Sequence, residues 1–264
     1  MALPKHNRIK HEATLKGLDG TLIYSPFTVA DRRNLIAALS FDDKKAFVRT
    51  VADIVDNLSN LRQLDPEMRL HFIEAAFMKI YAASSGNTIT ATYTCSATVS
   101  ENLDPVPGND LPHEHVCGTA TDISIPIGDI DIEYGPLGDT SSHVIKLGDG
   151  DDYFVEVDIP GWETVQKLME AESLNFDDEF VLDCIKSVGG DGKVYTKDDF
   201  SREELAEWLN EMDDVAADRL RVFFSNLPVI KKDFDVTCPK CGAKRRLALR
   251  GIESFFGSPT TQTI

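Results

Sequence analysis

The chain has 264 residues, 42% of them apolar and 27% charged, with a formal net charge of -17. Such a composition describes a soluble globular chain with room for one large domain or two small ones. The acidic surplus repels phosphate backbones, so a nucleic-acid partner would require a local basic patch, and no apolar run approaches the roughly eighteen residues of a membrane span.

Residues 1–10 read as an N-terminal arm. Met1 to Ala13 carry charges without an apolar stretch, so no secretory signal is expected and a reducing compartment follows. In that setting Cys95, Cys117, Cys184, Cys238 and Cys241 read as metal ligands more readily than as disulfides.

From Ala13 to Tyr24, two short apolar runs flank Asp19-Gly20, the signature of a hairpin turn. Thr28 is placed to cap a helix over Val29 to Leu39. Phe47, Val51, Ile54, Val55 and Leu58 then repeat at the helical period. Asp65-Pro66 reads as an N-cap followed by proline at the first helical position, opening a helix striped by Leu70, Ile73, Phe77, Ile80 and Tyr81. Thr88 to Cys95 is rich in β-branched residues and reads as a strand.

The second half follows the same plan. His143 to Leu147 and Tyr153 to Val157 flank an acidic turn containing Asp149, Asp151 and Asp152. Helices are expected from about Trp162 to Leu174 and from Asp177 to Ser187. Ser201 with Glu204 makes a capping box before Leu205, Trp208, Leu209 and Met212. A further helix carries Leu220, Phe223, Phe224 and Leu227, and Phe234 to Cys238 is again a strand that runs into a cysteine. The fold class expected is therefore α+β, built as two pseudo-repeated modules of hairpin, helices and cysteine-bearing strands. Their bounds are 11–134, with a loop insertion at 96–115, and 135–256, before a C-terminal tail at 257–264.

Val236-Thr-Cys238-Pro-Lys-Cys241-Gly242 is a zinc knuckle: the turn aims two sulfurs to one side, and the glycine lets the backbone curl round a metal. A redox reading needs the first cysteine at a helix N-terminus, whereas Leu247, Ala248 and Leu249 continue as a strand. One knuckle is half a tetrahedron. Cys95 closes a strand as Cys238 does, and Cys117 precedes Gly118 as Cys241 precedes Gly242, so the four are assigned to one structural Zn²⁺. His113 and His115 are alternative ligands, outranked because four cysteines complete the shell. Cys184, beside Val181, Leu182 and Ile185, reads as core.

Asp191-Gly192 resembles the later part of a calcium loop, but Ser187 and Gly189 stand where carboxylates are needed, so it reads as a turn. Asp129, Asp131 and Glu133 read as one wet strand face. No Walker loop, GxSxG or HExxH is present, and no enzyme is expected. Lys240, Lys244, Arg245, Arg246 and Arg250 form the densest basic cluster, without the interleaved aromatics that stack on bases.

The segment Phe234-Asp-Val-Thr-Cys238-Pro-Lys-Cys241-Gly242, followed by Ile252-Glu-Ser-Phe255-Phe256, resembles the baseplate hub proteins of T-even-type contractile-tailed bacteriophages and related tail proteins. Thr94-Cys95 with Val116-Cys117-Gly118 matches the first cysteine pair of that family once the intervening loop is treated as an insertion. The resemblance implies a structural protein of the virion tail baseplate, made in the host cytoplasm. It would act through other tail proteins, with no membrane and no small-molecule substrate. An assembly chaperone and a zinc-ribbon nucleic-acid or polymerase adaptor are the alternatives. Ile252, Phe255 and Phe256, an apolar group before a polar tail, are candidates for docking a partner or for finishing the home core.

Overall fold

The computed structural model describes residues 8–40, 43–101, 113–128, 130–135, 138–139, 142–148, 153–170 and 179–256. The first hairpin pairs β1 (His11–Ala13) with β2 (Leu22–Tyr24), His11 opposite Tyr24. Its turn falls at Lys16 and Gly17 instead of Asp19-Gly20. Leu15 and Leu18 fold inward and are buried, which draws the connection out over residues 14–21.

Thr28 caps α1 (Val29–Ser40): its hydroxyl accepts the Asp31 amide, and the Asp31 carboxylate accepts the Thr28 amide in return. α2 (Lys44–Leu58) starts at Asp43, whose side chain accepts the Ala46 amide, and buries the whole expected stripe. Asp65-Pro66, however, does not open a helix. α3 (Leu61–Leu64) ends there, because the buried Asp65 carboxylate accepts the Arg69 amide and pairs with its guanidinium at 2.9 Å. That local bond shapes a turn. Only after it does α4 (Leu70–Ser85) begin.

β3 (Thr88–Thr94), β4 (Thr98–Glu101), β5 (His113–Val116), β6 (Ala120–Pro126) and β7 (Asp131–Glu133) follow. β3 runs antiparallel to β6, and β4 to β5. β8 (Ser142–Lys146) and β9 (Phe154–Asp158) form the second expected hairpin, whose acidic tip lies outside the described residues. α5 (Trp162–Glu170) comes next.

The helix expected to reach Ser187 stops early, as α6 (Glu179–Cys184). From there β10 (Ile185–Gly190) and β11 (Lys193–Thr196) turn about Asp191-Gly192 and extend the sheet in the order β11-β10-β9-β8. Strand pairing wins over helix continuation because Ile185 and Val188 lie opposite the buried Val157 and Val155. The buried Ser187 hydroxyl donates to Glu156 of β9 at 2.9 Å. α7 (Arg202–Asn210) opens with the full Ser201–Glu204 capping box, and α8 (Asp214–Ser225) is capped by Asp213. β12 (Val229–Thr237) and β13 (Lys244–Arg250) form a long antiparallel ribbon with β7 on the other edge of β12, and α9 (Gly251–Phe256) ends the described chain.

The packing divides the chain differently from modules 11–134 and 135–256. One core gathers on α2 and α4 and takes in Ile230, Leu249, Ile252 and Phe255. A second core, with Val155, Val157, Phe180, Ile185, Leu205, Leu220 and Phe223, uses only residues between β8 and α8. The C-terminal ribbon therefore closes the first core. The two bodies meet through α5: Trp162 and Met169 pack on the first core, the Trp162 amide donates to the Glu67 carbonyl at 2.8 Å, and Arg49 pairs with Glu170.

α4 is buried on almost every side, His71 and Glu74 included. Burial lowers the His71 pKa to about 3, so the ring is neutral. The Glu74 carboxylate accepts the Ile252 amide at 2.8 Å and approaches that of Ile230 at 3.5 Å, fastening α9 and β12 to the central helix. Desolvation lifts its pKa to about 7, against these two bonds. Between about pH 4.5 and 7 the folded chain thus holds a proton that the unfolded chain releases, and stability from this group is lost as pH rises through that window. Denaturant midpoints for wild type and Glu74→Gln at pH 5 and pH 8 provide the check. The wild-type drop should shrink by roughly 2–3 kcal/mol in the variant, and identical slopes would remove Glu74 as the cause.

Candidate metal centre

Two turns built alike carry the sulfurs. β12 runs into Cys238, whose amide donates to the Ala243 carbonyl while its own carbonyl accepts the Gly242 amide, both at 2.9 Å. β3 runs into Cys95, whose amide donates to the Thr119 carbonyl at 2.9 Å while its carbonyl accepts the Gly118 amide at 3.0 Å. Gly242 and Gly118 take φ +70 and +62, left-handed values that glycine adopts without a Cβ penalty. Cys95, Cys117, Gly118 and Thr119 thus play the parts of Cys238, Cys241, Gly242 and Ala243.

The expected loop insertion at 96–115 is instead partly regular. β4 and β5 form an antiparallel ladder from Thr98 opposite Val116 to Glu101 opposite His113. The Cys117 amide returns to the Ala97 carbonyl at 2.8 Å, so the excursion leaves and re-enters the turn at one point. Residues 102–112 lie outside the described set.

The four Sγ atoms lie within 4.8 Å of one another. Cys95 is 3.7 Å from Cys241, and Cys117 is 3.8 Å from Cys238. Disulfide sulfurs would be about 2.05 Å apart, whereas four ligands at a zinc–sulfur distance of about 2.3 Å define a tetrahedron with edges of about 3.8 Å. Cys95, Cys117 and Cys238 are buried and Cys241 is half-buried, among Tyr93, Ala97, Val236 and Leu247. Hydrogen bonds from the Thr119 hydroxyl and amide bring the Cys117 thiol down to about 6, and the Cys241 and Lys240 amides lower Cys238. Although the Ala243 amide favours its thiolate, Cys241 is pushed up to about 11 by burial and by the three neighbouring sulfurs. Turn amides invite negative charge here, and the sulfurs cannot all carry it without a cation among them. The residues fit a metal.

A family model described as T4 bacteriophage base plate protein matches residues 7–257. The chain belongs to that family. It is a baseplate protein of a T4-like phage, with a structural role in the virion tail and contacts to other tail proteins. No curated protein and no solved structure matches it.

Elsewhere in this baseplate protein the candidate residues scatter. His115 is exposed on β5 and stands apart from the sulfur cluster, and the His113 side chain lies outside the described residues. Cys184 is buried in the second core, where desolvation pushes its thiol up to about 12. Asp191-Gly192 is a hairpin turn, and Asp129 is outside the described residues. Ile252 and Phe255 are 1% exposed, and Phe256 packs against Phe47, Phe77 and Tyr81. Of the two expectations for these three, docking a partner or finishing the home core, their packing here agrees with the second. No helix of the described residues is long and apolar enough to cross a membrane.

Sequence reasoning missed Thr119 and Glu74. The first could have been found as the partner of Ala243 when the two turns are aligned. The second was visible as a lone carboxylate in the apolar run from Leu70 to Ala83.

Because an added Cβ would meet nothing closer than 3.8 Å at Gly118 and nothing within 4 Å at Gly242, substitution there costs backbone strain alone. Gly118→Ala and Gly242→Ala should each lose about 1–2 kcal/mol in denaturant melts. A cost at one position only would mean that the turns are not equivalent.

Proposed function

We propose that this chain is a non-enzymatic structural component of the baseplate hub or its inner ring, in which Cys95, Cys117, Cys238 and Cys241 hold one structural Zn²⁺. The observation that carries the metal assignment is the set of four sulfurs at tetrahedral spacing. Four thiolates are a soft donor set suited to zinc, and they leave no coordination position for water or substrate. The ion then supplies folding energy and no reaction, because its ligands come together only in the folded chain. Family membership supports the baseplate setting, and hub or inner ring is the part of it that the cysteine-pair resemblance favours.

The charge arrangement on the ribbon weighs against the nucleic-acid reading. Arg250 and Lys231 pair with Glu133, while Arg246 and Lys231 pair with Asp233. Cations already matched by carboxylates on the neighbouring strands release few counterions to a phosphate backbone.

Elemental analysis of the purified chain should return one zinc per molecule. Cys238→Ser and Cys241→Ser should lose the metal and fold poorly, whereas Cys184→Ala should cost no more than about 1–2 kcal/mol. Equal stability of the three variants would discard the ligand assignment. Mass spectrometry of purified mature particles separates a resident component from an assembly chaperone. Presence is expected, and absence would favour the chaperone.

A further inference from the structure

The second core carries a surface that neither the metal nor the ribbon uses. β11 is exposed at all four residues, and among the described residues its only ladder partner is β10; Asp199 already bonds the Thr196 amide and carbonyl, so the open edge is the stretch before it, 193–195. Natural sheets guard such an edge with charge or cover it, since its outer amides and carbonyls can pair with another chain. Lys193 is a guard of that kind, yet Val194 is 58% and Tyr195 40% exposed.

Beside this edge lies a cavity of about 650 Å³ between the β10–β11 hairpin and α7. Tyr153, Tyr195, Phe200 and Trp208 give it aromatic walls, and Asp191, Asp199 and Glu204 give it carboxylates. No lysine or arginine among the described residues lines it. Asp199 accepts the Thr196 amide and hydroxyl through Oδ2, and Glu204 accepts the Ser201 amide through Oε2, so each keeps a second oxygen. These bonds hold both carboxyls below their ordinary range, and the cavity stays negative through mildly acid pH.

We propose that this edge and cavity form a docking site for an extended segment of a partner protein, whose backbone adds to β11 and whose arginine side chain enters the cavity. Strand addition supplies main-chain hydrogen bonds, and a pocket beside the edge selects one side chain of the added strand. A planar guanidinium stacks on indole or phenol faces while donating to carboxylates at their rim, a combination that neither an apolar side chain nor a compact ammonium reproduces as well. With a chain charge of -17, long-range attraction also favours a basic partner segment.

The test is titration of the full-length chain with acetyl-Val-Arg-Val-Arg-Val-amide and with the same peptide carrying norleucine for arginine, followed by tryptophan fluorescence and backbone amide shifts. The arginine peptide should bind about tenfold more tightly, with amide shifts centred on residues 193–195. Asp191→Asn and Tyr195→Thr, both at exposed positions, should each weaken it by about fivefold or more with an unchanged melting temperature. Equal affinity for the two peptides, no detectable binding of either, or shifts confined to other elements would each overturn the site. Because the titration uses the purified chain alone, its failure leaves the baseplate reading untouched.

Discussion

The meeting of four sulfurs from two distant stretches of chain is the constraint on which the rest of the structure depends. Cys95 faces Cys241 across 146 residues of sequence, and Cys117 faces Cys238 across 121. Between them runs the whole second core. Closing a loop of that size costs conformational entropy that grows only slowly with length, so a bond at its neck removes many unfolded arrangements at once. Four thiolates without a cation would do the reverse, bringing burial and mutual repulsion to the same point. The sulfur cluster stands at the neck of that loop.

The tie does not act alone. The β12–β13 ribbon is held at its tip by the sulfur cluster, along its flank by β7, and at its base by Glu74 on α4. Each hold joins the ribbon to the first half of the chain. Of its sequence neighbours β8 to α8, only α5 reaches the first core, through the partly buried Trp162 and Met169. A buried carboxylate is an expensive fastener, and here its cost is offset by amides that the start of α9 would otherwise leave unpaired. Glu74 fixes where α9 begins, and α9 in turn seats Ile252 and Phe255. Loss of either fastening exposes apolar surface at both.

Local signals in the sequence were read well, and global ones less so, for identifiable reasons. The capping box at Ser201, the stripe from Phe47 to Leu58 and the correspondence of Cys95 to Cys238 depend on spacing along the chain, which the sequence displays directly. The partition into modules followed the order of elements, but packing follows complementarity of faces. Ile230, Leu249 and Ile252 bury against α4, whose apolar surface extends all round and so could accept a second layer. The helix expected through Ser187 failed because Val181 to Cys184 continues as helix, while Ile185 to Val188 pairs with β9 across a register shift that brings both apolar residues to buried partners. What decided the matter was β9, with Val155 and Val157 waiting for partners. Asp65-Pro66 misled because an aspartate can bond amides in a turn as readily as at a cap, and Arg69 lay within its reach.

The two cores also divide the mechanical work. Around the first, α1 and α2 are capped, the ribbon is held at three places, and the cysteine turns lie in an apolar shell. The second is joined to it by a narrow contact through α5, with one backbone hydrogen bond from Trp162 and an ion pair at Arg49. Exposed ion pairs contribute little at a surface, so that junction has less to hold it than either interior. A first body clamped along its ribbon, joined to a second that carries an exposed strand edge, is suited to hold a position while reaching for a neighbour. In a tail assembly, an anchor that keeps its shape lowers the cost of a further contact, since less freedom is lost when the edge is engaged.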